Sequence, residues 1–181
     1  MASNNWFIIG QADQVYTNIV SKIITDTDLV KCLYYSESDA LTKSTPTQEQ
    51  IFAMLKQTDR ENCRIFNIAP TYFVTEQVRA EIRIYETKMS STDSQIAAVT
   101  YAFDVLCHQT LWTLDDGGRR VMKIINGILE TLNGENVGGI GKMRFFNPKS
   151  PDFLKLQFYN DVFCGYKLFG NLFIGGGYDR C

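Results

Sequence analysis

The sequence predicts an α+β fold: a mainly antiparallel sheet flanked by an N-terminal helical segment and one long central helix. Three observations predict it. Apolar residues recur every three or four positions early in the chain, alternate from Val78 onward, and form one unbroken helical stripe, Val121 to Leu132, between strand-like segments. The chain has 181 residues, 45% apolar and 21% charged, which suits one domain with a sizeable core. We read residues 1–181 as that single domain, with helices over about 12–57, sheet and long helix over about 62–170, and a loose C-terminal tail.

The first helix is carried by Ala12, Val15, Tyr16, Ile19, Val20 and Ile23, which share one face. A short helical segment follows from Asp28 to Tyr35, and the polar run Ser36 to Thr45 reads as a loop. Thr45-Pro46-Thr47-Gln48 has the form of a capping box and should open a third helix with Ile51, Phe52, Met54 and Leu55. Arg64 to Ile68 predicts a short strand stopped by Pro70. From Val78 to Thr87, Val78, Ala80, Ile82 and Ile84 point one way, and Arg79, Glu81, Arg83 and Tyr85 the other, which predicts one buried and one wet face. Ala97 to His108 alternates likewise, so the two strands should form a hairpin joined by a long polar loop, Met89 to Gln95.

Asp115, Asp116, Gly117 and Gly118 break the sheet pattern ahead of the long helix. Its stripe is Val121, Ile124, Ile125, Ile128, Leu129 and Leu132, and Asn133-Gly134 should end it. Lys142 to Asn147, Leu154 to Tyr159 and Gly165 to Phe169 read as strands, and the glycines at 175–177 as the start of the tail. There is no internal repeat and no linker.

Composition excludes several classes. A net charge of −2 argues against a protein that grips nucleic-acid phosphates. No apolar run reaches the roughly 20 residues of a membrane span. Trp6-Phe7-Ile8-Ile9 is too short, and lacks the basic start, for a signal peptide. The five cysteines, Cys32, Cys63, Cys107, Cys164 and Cys181, are odd in number and widely spaced, as reduced thiols are.

No constellation carries catalysis. Cys107 and the sole histidine, His108, are neighbours on a strand and should face opposite ways, so they cannot form a nucleophile–base pair. The same scarcity argues against zinc. Gly139-Ile140-Gly141-Lys142 resembles a phosphate-binding loop but has Met143 and Asn136 where that loop needs a hydroxyl residue and a glycine. Its glycines should serve a turn or a close backbone approach. We therefore expect no catalytic residue, metal or cofactor.

Arg119 and Arg120 open the long helix, where its dipole disfavours a cation. They should answer to something else: solvent, a backbone contact, or an ion pair with a neighbouring subunit. Aromatics reach 13% and crowd the last third, from Phe145 to Phe173, more than one small sheet hides easily. They build either a compact aromatic core or an interface. The candidate interface residues are Arg119, Arg120, Phe163, Tyr166 and the loop residues Ser90, Ser91, Thr92 and Asp93.

Four stretches, in order, carry a resemblance. They are Asp28-Leu29-Val30-Lys31-Cys32-Leu33-Tyr34-Tyr35 with Asp39-Ala40-Leu41; Ile65 to Pro70; Phe103 to His108 with Trp112 and Arg119 to Ile125; and Leu132-Asn133 with Gly139 to Phe145. The chain resembles the neck and tail-terminator proteins of tailed bacteriophages. It departs from them where a proline would stand beside the arginine that opens the long helix; here Arg119 is followed by Arg120. The resemblance implies a sheet flanked by helices, assembly as a ring, usually a hexamer, and no enzymatic activity or cofactor. It also implies virion location at neck or tail after assembly in the host cytoplasm. The implied partners are copies of the chain, the tail tube or sheath protein and the head connector protein. DNA is only passing cargo and no membrane is involved. Within that class the tail terminator comes first and a head-side connector or stopper second. A host-directed binding module is the alternative from another class.

Overall fold

The helices lie where the apolar periodicity puts them. The computed structural model describes residues 6–69, 77–91, 96–145 and 154–175. Helix α1 spans Trp6–Ile23 and starts ahead of the stripe that predicts it; Val15, Ile19 and Ile23 are fully buried. Helix α2, Thr27–Tyr34, is capped by Asp26, whose Oδ1 accepts the Leu29 N–H at 2.7 Å. Helix α3, Gln48–Leu55, does begin with a capping box, but two residues later than expected: Thr47 and Gln50 exchange side-chain and backbone bonds. Helix α4, Arg120–Leu132, buries Val121, Ile124, Ile125, Ile128 and Leu132, and Gly134 at φ 81° follows its end.

The strands are β1 (Ile65–Phe66), β2 (Ala80–Ser91), β3 (Ile96–His108), β4 (Ile140–Arg144), β5 (Leu154–Phe158) and β6 (Phe163–Gly175). They form one mixed, mostly antiparallel sheet in the order β1-β2-β3-β6-β4, with β5 also paired to β6. Only β1, against β2, is parallel. Strand β6 runs the whole length of β3, from His108↔Phe163 to Ile96↔Gly175, and its other edge is shared by β5 and β4.

Two expectations change here. The link Met89 to Gln95 is no long loop: Met89, Ser90 and Ser91 continue β2 opposite Val99, Ala98 and Ala97, and only residues 92–95 lie outside the described residues. The last strand continues past Phe169 to Gly175, because β3 offers a ladder partner for every residue of it. The expected end of β4 at Phe146 and Asn147, the stop at Pro70 and the tail at 176–181 lie outside the described residues.

One sheet face carries Ile82, Ile84, Val99, Tyr101, Phe103, Val105, Leu168 and Leu172, all buried with the stripes of α1, α2 and α4 in a single core. Helices α2 and α4 cross at Gly127, where a Cβ would stand 2.8 Å from Leu29 Cβ and 3.1 Å from Asp26 Cγ. Leu29 Cβ moves only with the α2 backbone, so the glycine sets the distance between the helices.

Two changes on α4 test this packing. Ile128→Ala should cost about 2–5 kcal/mol through the cavity it leaves. Gly127→Ala gains about 1 kcal/mol of helix propensity but incurs an overpacking penalty of about 1–3 kcal/mol. It is expected to destabilise, although the same change at an exposed helical glycine would stabilise. Urea midpoints measure both.

Candidate interaction surface

Arg120 is fully buried, and all its bonds are internal. Nε donates to Leu111 O at 2.9 Å, Nη1 to Cys32 O at 2.9 Å and Tyr35 O at 2.7 Å, and Nη2 to Glu37 O at 2.5 Å. These carbonyls belong to the end of α2 and the turns beside it, where the α2 dipole is negative. A residue poorly placed for its own helix is well placed for the neighbouring one. Arg120 is thus a backbone contact, and its assignment to a subunit boundary is corrected: no donor group of it reaches the surface. Arg119 differs. It is exposed, precedes α4, and bridges to Thr113, next to Trp112.

The other candidates separate similarly. Phe163 is fully buried, with its ring 5.3 Å from that of His108 in a T-shaped contact, so it is core and not interface. Ser90 and Ser91 are strand residues, and Thr92 and Asp93 lie outside the described residues. Tyr166 is half-buried, 6.5 Å from the half-buried Trp112. Across the ladder Tyr166 faces Leu156, and the next pair is Phe158 opposite Cys164. Leu156 is 50% exposed and Phe158 75%. Arg119, Trp112, Tyr166, Leu156 and Phe158 therefore gather at one margin of the helix-bearing face, an apolar surface with a cation beside it. Sequence reading missed Trp112 and Leu156, and took Phe158 only as one of the crowded aromatics of the last third. The signal available was the alternation Leu154, Leu156, Phe158, which marks one face of β5 but not its exposure.

The opposite sheet face is not wet as expected, since Arg79, Glu81, Arg83 and Asp104 are all buried. Glu81 takes one arginine on each oxygen, Arg79 at 2.9 Å and Arg83 at 2.6 Å, and both guanidinium groups stand over the Phe66 ring. Tyr85 donates to Asp104 at 2.7 Å, and Lys167 donates to the Tyr85 hydroxyl at 2.8 Å. Burial, and then that bond to Asp104, holds the Tyr85 hydroxyl protonated far above its ordinary range.

Cys107 and His108 do not form a pair. The thiol donates to the His108 carbonyl, while His108 Nδ1 lies 2.8 Å from Thr110 Oγ1. Burial pushes the Cys107 thiol up to about 12, and Cys32 and Cys63 to about 11, so these are protonated core thiols. Among the described residues no cluster of three His, Cys, Asp or Glu could hold a metal, and no helix is long and apolar enough to cross a membrane. In the segment that resembles a phosphate loop, Gly141 takes φ 83° and Gly139 would place a Cβ 2.5 Å from Phe173 O, the turn and close approach its sequence implies.

Fold and surface together define an α+β protein with an apolar, aromatic patch exposed at one margin of its sheet. Residues 26–171, most of the chain, match the YomW family, and the chain belongs to that family. The family is phage-derived, named for a Bacillus phage region, which makes the chain a phage-associated protein. No curated protein and no solved structure matches the chain.

Two expectations follow from these environments. Each carbonyl stripped of Arg120 costs about 1–3 kcal/mol, a large share of a total of about 5–15 kcal/mol, so Arg120→Ala should unfold or nearly unfold the chain. Arg119→Ala should stay within about 0.5 kcal/mol; denaturant titration of both variants checks this. The thiols ionise near 9.0 in the unfolded chain but near 11–12 when folded. Stability is therefore full below pH 9 and lost as pH rises from there toward 12, the direction of a raised folded-state pKa. Urea midpoints should fall from pH 8 to pH 10.5, and by less in a variant with Cys32, Cys63 and Cys107 all changed to alanine.

Proposed function

We propose that this phage-associated chain is a structural protein of the particle, forming a ring at the neck. The position we assign is that of tail terminator, capping the tail tube and joining it to the head. The observation that carries the reading is the exposed surface of Arg119, Trp112, Tyr166, Leu156 and Phe158 on a protein of a phage-derived family. Aromatic residues with a peripheral arginine are what protein interfaces use at their centres. The resemblance of the ordered stretches between Asp28 and Phe145 to neck proteins supports the same reading.

In this role a heterologous contact between copies closes a ring, a hexamer. The tail tube or sheath protein lies on one side of it and the head connector on the other. DNA passes through without being held, which suits a net charge of −2. The role needs neither catalysis nor cofactor.

Electron microscopy of purified particles from cells expressing an epitope-tagged chain tests the proposal. The tag is expected between head and tail, at several copies per particle. A chain absent from every ring of the virion would refute the neck assignment. In the same assay Arg119→Ala should reduce incorporation without changing solubility, and unchanged incorporation would remove Arg119 from the interface.

A further inference from the structure

A sheet with open edges invites unwanted pairing, and proteins usually blunt those edges. Most of this sheet follows that rule. On β1, Gln57 takes the outward groups: its Nε2 donates to Ile65 O at 2.7 Å and its Oε1 accepts the Asn67 N–H at 3.4 Å. Beyond β1, strand β2 is irregular between Glu86 and Lys88, a bulge that twists its edge away. The outer edge of β4 is tied to the turn after α4, with Gly134 N–H donating to Met143 O and Met143 N–H to Glu135 O, both at 2.8 Å.

Among the described residues strand β5 has no such bond, bulge or tie, and its one charge is the exposed Lys155. The Tyr159 N–H donates to Phe163 O at 3.0 Å, so the odd-numbered residues of this strand face β6. The backbone groups of Leu154, Leu156 and Phe158 therefore face outward, and among the described residues no strand meets them. The same three residues carry apolar side chains on the helix-bearing face, beside Tyr166 and Trp112.

We infer that the outer edge of β5 pairs antiparallel with β5 of a second copy, about a two-fold axis at Leu156. The sequence Leu154-Lys155-Leu156-Gln157-Phe158 argues for this occupant. In that register Leu156 meets the second copy's Leu156, and Leu154 meets its Phe158. On the other face Lys155 meets Gln157, so no like charges stand opposite each other. Every outward backbone group of the three residues gains a partner. A polar ring closes through heterologous contacts, so this isologous pair is the form of the protein before assembly and opens when a ring forms.

Sedimentation equilibrium of the isolated chain, with charge-swap variants, tests the inference. The wild-type chain is expected to dimerise at micromolar concentration. Leu156→Lys and Leu156→Glu, at a half-exposed position, should each weaken the dimer at least about tenfold by setting like charges on the axis. Mixing the two variants should restore a dimer. A wild-type chain that stays monomeric, variants that dimerise like the wild type, or a mixture that stays monomeric would each overturn it. If either variant melts early, amide exchange of the wild-type chain decides. Protection of Leu154, Leu156 and Phe158 that rises with concentration supports the pair, and exchange independent of concentration overturns it. A monomer whose β5 instead gains a strand from purified tail-tube protein assigns the edge to that partner and also overturns the inference. Failure here leaves the neck reading intact, because that reading is tested in particles.

Discussion

The buried guanidinium of Arg120 is the joint on which the helical layer depends. One side chain holds carbonyls from the end of α2, from the turn at Tyr35 and Glu37, and from the 3-10 turn after β3, while its own backbone starts α4. A cation without water is costly unless its donors are met. Here the compensation comes from oriented peptide dipoles at a helix C-terminus, with no carboxylate hydrogen-bonded to it among the described residues. Gly127, two turns further along α4, brings the same two helices together by having no side chain. A fixed polar joint at one end and close contact in the middle leave α2 and α4 one way to cross, and their apolar stripes then close over the sheet.

The other sheet face is organised by charge. Glu81 is shared between Arg79 and Arg83, and Asp104 on β3 receives Tyr85 from β2 and faces Lys167 from β6 at 3.4 Å. Buried ion pairs add little net stability, because desolvation offsets their attraction. Their effect falls on register. A slip of one residue between β2, β3 and β6 would turn Glu81, Asp104 and Lys167 onto the helix-bearing face, among Ile82, Phe103 and Leu168. The apolar face defines which sides pack, and the charged face makes the alternatives expensive.

Most of the secondary structure was legible because it follows period. The stripe of α4 and the alternation of β2 and β3 specify element, face and approximate length without knowledge of the partner. What stayed hidden depends on neighbours distant in sequence. Alternation separates Arg79, Glu81 and Arg83 from Ile82 and Ile84 but does not say whether the polar side is covered. Arg120 looks misplaced when only its own helix is considered, because three of its four partners are 83 to 88 residues away in the chain. Strand β6 reads as ending near Phe169, since Gly170 and Asn171 are poor strand formers; a full-length partner in β3 overrides them. Of the candidate interface residues, Arg119 is exposed and Tyr166 half-buried. Phe163 was misjudged because a crowded run of aromatics does not reveal which ones face the core.

Strand β5 shows how such a surface escapes a reading based on hydrophobicity. Leu154, Leu156 and Phe158 have the spacing of a buried strand face; Leu154 packs against the core, but Leu156 and Phe158 lie at the sheet margin, past the reach of the helices. Burial there is limited by how much sheet α1, α2 and α4 can cover. The sheet has one strand more than that layer shields, and among the described residues no capping side chain, bulge or tie closes that strand's outer edge. An edge closed by Gln57, a second bent by a bulge and a third tied to a turn set a standard for this chain. The lack of any such feature on β5 among the described residues, together with the exposed Leu156 and Phe158, is what the proposed pairing rests on. On the pairing proposed above, association follows from where the layers stop matching in size, and a substitution that extended helical cover over β5 would be expected to stabilise the monomer at the expense of association.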